Sequence, residues 1–116
     1  MSDVQVWFNA KCSKCRTTQG ILQERGVDAD YVKYLEQAPS KDDLRRVLGM
    51  LGADSPRAIA RTGEPEWKDL GLDDADDDAI LDAMVQHPIL IERPIIIRGD
   101  RAVIGRPPEN VLTLLD

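Results

Sequence analysis

Two cysteines three positions apart, Cys12 and Cys15 in Asn9-Ala10-Lys11-Cys12-Ser13-Lys14-Cys15-Arg16, are the only thiols in the chain. They stand where a strand-like run, Val4 to Phe8, hands over to a helix-like run, Thr17 to Arg25. A thiol at a helix N-terminus sits in the positive end of the helix dipole, which favours the thiolate, and the thiolate is the nucleophile. Lys11, Lys14 and Arg16 add positive charge within about one Debye length, roughly 8 Å. Cys12 is therefore the candidate nucleophile. Cys15, about one helical turn further on, reads either as a resolving thiol able to attack a sulfur adduct on Cys12 or as a small residue packed in the first turn.

The same two thiols could instead hold zinc, but a closed site wants four ligands and the chain adds only His87. No metal site is expected. His87, followed by Pro88 at a helix end, reads as a capping or packing residue. Among the arginines, Arg57 and Arg61 are four apart and share a helix face, which reads as a solvated face or as an ion pair with a nearby Glu or Asp. Arg93 precedes a proline inside an apolar segment, and Arg106 ends a strand just before Pro107. Those two lie at element ends, where an oxyanion could reach them, and a guanidinium suits bidentate oxyanion contacts.

The elements that must position these groups follow from periodicity. Val4, Val6 and Phe8 alternate with Gln5 and Trp7 as a strand, Thr18, Ile21 and Leu22 share a helix face that Gly26 can end, and Ala29 to Leu35 makes a second strand. This is a β-α-β unit. Ser40 with Asp42 and Asp43 starts a helix carrying Leu44, Val47, Leu48 and Leu51 on one stripe. Ser55 to Arg61 and Glu66 to Leu70 read as short helices. Asp77 to Gln86 reads as a longer one that His87-Pro88 ends, with the acidic run Asp73 to Asp78 as its solvated turn and first turn. Pro94 to Ile97 and Ala102 to Ile104 read as strands joined at Gly99-Asp100. Pro107 and Pro108 open a last helix with Val111, Leu114 and Leu115 on one face. The predicted fold class is α/β, a thioredoxin-like fold ordered β-α-β, helical insert, β-β-α, with a small mixed sheet. It is expected as a single domain over 1–116 with the insertion at about 40–87.

Composition narrows the function. A chain of 116 residues, 42% hydrophobic and 31% charged, fits one modest core. A net charge of -6 and a pI near 4.7 argue against a nucleic-acid-coating protein, so any anion site must be local. No basic stretch precedes a long apolar run at the N-terminus, and no segment approaches the roughly 18 apolar residues of a membrane span. A soluble cytoplasmic protein is expected, in which a CxxC pair is catalytic or redox-active and not a structural disulfide.

At this point the residues resemble a known family. Asn9-Ala10-Lys11-Cys12 with Arg16, Tyr34-Leu35-Glu36 and Pro39-Ser40, Arg57-Ala58-Ile59-Ala60-Arg61 with Glu64-Pro65, Leu70-Gly71-Leu72, His87 to Ile95, and Gly105-Arg106-Pro107 follow one another in the order and spacing of the glutaredoxin-coupled arsenate reductases, a family that includes the Spx-type redox regulators. The resemblance implies Cys12 as nucleophile, Arg61, Arg93 and Arg106 as holders of the arsenic oxyanion, and Pro94 as the cis-proline that faces the active cysteine. The chain departs from the pattern twice: Phe8 stands where some members place a histidine, and Cys15 where many reductases have no thiol.

The function the resemblance implies is thiol-dependent reduction of arsenate to arsenite. No cofactor is bound, glutathione or a comparable small thiol is the co-substrate, and a glutaredoxin-like or thioredoxin-like protein is the reductant. The enzyme is expected as a monomer without nucleic-acid or membrane partners. Two alternatives use the Cys12-Cys15 pair differently: an Spx-type redox-sensing regulator and a general thiol reductase.

Overall fold

Residues 3–115 are described by a computed structural model. They fall into two compact units, one built from residues 3–34 with 93–115 and one from Leu35–Glu92.

The first unit is a four-stranded mixed sheet with its helices. Strand β1 (Val4–Trp7) leads through helix α1 (Ser13–Glu24) to β2 (Ala29–Val32), which pairs parallel to β1. Strands β3 (Ile95–Arg98) and β4 (Arg101–Ile104) form an antiparallel hairpin, with Gly99 in the left-handed conformation (φ 62°) that its tight turn requires. β3 adds antiparallel to β1, giving the order β2-β1-β3-β4. This is the thioredoxin-like arrangement the element order predicts. Helix α1 starts four residues earlier than the apolar pattern from Thr17 suggests, because Cys12 already serves as its N-cap. β2 is shorter than the run to Leu35, and the C-terminal helix divides into a 3₁₀ turn (Pro108–Val111) and a short α-helical turn (Leu112–Leu115).

Helix α1 buries Cys15, Thr18 and Leu22, which are spaced to lie on one face. They join Val4, Val6, Phe8, Ile96, Val111 and Leu114 in one apolar cluster that also contains Cys12. Trp7, read from alternation as pointing away from that face, is buried as well, at 5% exposure. Truncating a residue such as Leu22, which is fully buried, costs about 2 to 5 kcal/mol in cores of this kind. The thiols are thus anchored in the part of the unit least able to shift.

The second unit is helical. Ser40 caps α2 (Lys41–Leu51) in a reciprocal capping box with Asp43, and Gly52 ends it in the left-handed conformation. α3 (Pro65–Asp69) and α4 (Asp77–Gln86) follow, with 3₁₀ turns at Pro56–Ile59 before α3, at Leu72–Asp74 between the two and at Pro88–Leu90 after α4. Leu44, Val47, Ile59, Ile80, Met84 and Leu90 are buried in it. Lys41 ties α2 to α4 by ion pairs to Asp78 at 2.6 Å and Asp82 at 2.9 Å. The segment read as one helix from Ser55 to Arg61 is only a 3₁₀ turn, so Arg57 and Arg61 do not share a helix face. Arg57 instead donates to the carbonyls of Asp73 and Ala75, closing the turn before α4.

Candidate active site

The loop before α1 is fixed by its own polar groups. The Cys12 N–H donates to the Asn9 carbonyl at 2.9 Å, the Lys11 N–H to Asn9 Oδ1 at 3.0 Å, and Arg16 Nη1 to the Ala10 carbonyl at 2.9 Å. Arg16 is therefore a strap on the loop. Cys12 occupies the N-cap in extended backbone (φ -91°, ψ 123°), which places its side chain beside the first N–H groups of the helix.

Two arginines converge on this sulfur. Arg106 Nη2 lies 3.8 Å from Cys12 Sγ, while Nε of the same guanidinium donates to the Arg93 carbonyl at 2.8 Å. The Arg93 side chain also hydrogen-bonds Cys12, and it interacts with the buried phenol of Tyr34. Burial disfavours the Arg93 charge, but Tyr34 and Cys12 more than offset it, and the guanidinium is held even more firmly protonated than usual. The turn carrying Arg106 is pinned by Asn110 Nδ2, which donates to the carbonyls of Ile104 and Arg106 at 3.1 and 3.2 Å. Pro94, buried next to Arg93, follows a cis peptide bond, and so does Pro107 after Arg106.

The electrostatics separate the two thiols. Burial pushes the Cys12 thiol up, but the Cys15 backbone N–H, the Arg93 side chain, the Cys15 thiol and the Lys14 backbone N–H outweigh it and bring it from 9.0 down to about 7. Cys15, with no exposed surface, moves the other way. Burial, with the nearby Cys12 charge adding to it and the Asn9 backbone opposing it, pushes Cys15 up to about 11. Both cysteines are free thiols. One is poised to attack near neutral pH, and the other holds its proton beside it.

Of the residues singled out in the sequence, Cys12, Cys15, Arg93, Pro94 and Arg106 belong to the sheet unit. Arg61 belongs to the helical unit, where its Nε and Nη1 pair with Glu64 and Glu92 at 3.0 Å each and its backbone N–H donates to the Leu90 carbonyl. Sequence reasoning missed Tyr34 and Asn110. Tyr34 was part of the family pattern, but its meeting with Arg93 exists only in the fold. Asn110, a helix-start residue just after two prolines, was a signal for a turn-pinning side chain. Among the described residues, no group of three or more His, Cys, Asp or Glu side chains is placed to hold a metal ion, and no helix is long and apolar enough to cross a membrane.

The chain is similar to known proteins along nearly its whole length. The family described as the ArsC family matches residues 7–114. An arsenate reductase of Neisseria meningitidis is 39% identical over 99% of this chain and 100% of its own length. One from Haemophilus influenzae is 40% identical over 97% of this chain and 98% of its own. The solved structure of an arsenate reductase from Vibrio cholerae superposes with a TM-score of 0.92 at 44% identity, covering 95% of each chain.

Proposed function

We propose, on the premise that this chain belongs to the ArsC family, that it is a thiol-dependent enzyme that reduces arsenate to arsenite with Cys12 as nucleophile. The observation that carries this reading is a thiol brought to about 7 beside the guanidiniums of Arg93 and Arg106. The Cys12 thiolate attacks arsenic, water leaves, and a sulfur–arsenic(V) bond forms. An anionic nucleophile and an anionic substrate repel one another, and two fixed guanidiniums remove that repulsion without reorganising. Arg61 is proposed as the third oxyanion-binding guanidinium, and Pro94 as the proline facing the Cys12 sulfur; both assignments rest on the family pattern.

Arsenate takes up two electrons, so a second thiol must follow the first. Glutathione or a comparable small thiol can fill that part, after which a glutaredoxin-like or thioredoxin-like protein restores Cys12. Such chemistry needs reduced thiols, which favours the cytoplasm. A redox switch of the Spx type would need only the two sulfurs and gives no reason for guanidiniums at Cys12.

The test is arsenite release with glutathione plus glutaredoxin, with a mycothiol-type donor, and with thioredoxin. Wild type should release arsenite in at least one system, Cys12→Ser in none. Arg106→Lys keeps charge but loses the fork, and should lose about 10- to 100-fold, the scale of a hydrogen bond to a charged group. A folded, reduced wild type that gives no arsenite in all three systems would sink the reductase reading.

A further inference from the structure

The proposed reaction uses one of two adjacent thiols. The other, Cys15, has no exposed surface and is in side-chain hydrogen-bond contact with Cys12. Residues three apart at the start of a helix lie roughly 5 to 6 Å apart between Cα atoms, inside the window that a disulfide spans. Its burial in the apolar cluster closes Cys15 to bulk solvent and to small thiols, while Cys12, at 8% exposure, keeps an opening. The sulfur of Cys12 is thus the electrophile within its reach.

Resting on the reading of Cys12 as nucleophile, we propose that Cys15 is the resolving thiol, so that a turnover ends in an internal Cys12–Cys15 disulfide, and that the reductant that reopens it is a dithiol protein. In the resolving step the Cys15 sulfur attacks the Cys12 sulfur of the arsenic(V) adduct. The sulfur–sulfur bond forms, the sulfur–arsenic bond breaks, and its electron pair stays on arsenic, which becomes arsenic(III). The Cys15 proton passes to an arsenic-bound oxygen. The two thiols lose two electrons, arsenate gains them, and one water leaves in the earlier adduct step, so no outside oxidant is needed.

The order of the steps follows from the opposite environments of the two sulfurs. Cys12 is the thiolate near neutral pH and meets arsenate first, and Cys15 stays protonated until its neighbour carries the adduct. An intramolecular thiol held against its target outcompetes a dissolved one, because its orientation is already fixed. A dithiol reductant suits an internal disulfide, since its first thiol opens the bond and its second releases the reductant from the mixed disulfide.

The experiment is a single turnover without added thiol. Reduced protein, freed of small thiols under anaerobic conditions, is mixed with arsenate or, as a control, with phosphate, which cannot oxidise thiols. With arsenate, wild type should release about one arsenite per chain, lose both free thiols, lose two hydrogen masses and yield a Cys12–Cys15 cross-linked peptide. Cys15→Ser and Cys15→Ala should release less than about one-tenth as much until glutathione is added. The wild-type thiol count and peptide map stand even if neither variant folds. Arsenite release by wild type only with glutathione, without the cross-link, overturns the resolving role and leaves the reductase reading standing. No arsenite from wild type with glutathione or with any other donor overturns both.

Discussion

Gly105 presents its α-carbon to the ring of Pro94 so closely that a Cβ at this position would lie 2.6 Å from Pro94 Cγ, and 3.1 Å from Thr18 Oγ1. The Gly105 N–H also donates to the Pro94 carbonyl at 2.8 Å. Gly105 precedes Arg106, and Pro94 follows Arg93. The close approach therefore fixes the spacing between the two backbones that carry the guanidiniums, while Thr18 on α1 sets the third side of the contact.

Gly105→Ala should push these backbones apart. Overpacking of this kind costs about 1 to 3 kcal/mol. A lowered midpoint in urea, together with a larger loss of arsenite release than an equally destabilised Leu22→Ala, is the expected outcome; full activity and stability would show that the contact relaxes freely.

Cys12 should alkylate with a rate that rises through about pH 7 and levels off, while Cys15, pushed up to about 11, stays unlabelled. Removing Arg93 takes away a hydrogen bond to the thiolate, so Arg93→Ala should move the midpoint upward toward 9.0. The same lowering makes a stability prediction. The folded thiol titrates below its unfolded value, so the stabilisation is fully present above 9.0 and is lost as pH falls through about 7. The advantage of wild type over Cys12→Ser in urea unfolding should grow across that window.

Tyr34→Phe retains the buried ring and removes only the hydroxyl that meets Arg93. As a positioning residue, Tyr34 should act on arsenate binding, so KM rises about 3- to 10-fold, the worth of one ordinary hydrogen bond, with a smaller change in kcat. A variant that loses stability but keeps KM would reduce Tyr34 to core packing.

Arg61 carries two carboxylate partners, Glu64 and Glu92. Arg61→Ala leaves both without this cation, at a cost of about 1 to 3 kcal/mol. Arg61→Lys keeps the charge and isolates the fork, and should raise KM for arsenate about tenfold if the guanidinium serves the oxyanion. An unchanged KM in Arg61→Lys would assign Arg61 to holding the helical unit alone.

Much of this protein is local information. The periodicity of Val4 to Phe8 and of Thr18 to Leu22, the Ser40 capping box and the prolines at 94, 107 and 108 each bias the chain within a few residues, so the β-α-β and β-β-α order was legible without a structure. Cys12 was legible for the same reason: a strand-to-helix junction and its adjacent charges are written consecutively. Boundaries drifted where a side chain outside the pattern decided them, as when Cys12 began α1 before its first apolar residue, and the helix face read for Arg57 and Arg61 failed because the 3₁₀ turn Pro56–Ile59 ends before Arg61. The tertiary structure alone decided what the distant residues do. The pairing of β1 with β3 brings Arg93 beside a thiol from the opposite end of the sequence, the Gly105 contact sets the position of Arg106, and the burial of Cys15 separates two thiols that are chemically identical in the sequence. Burial and long-range electrostatics depend on which segments meet, and that is fixed only when the whole sheet closes its core.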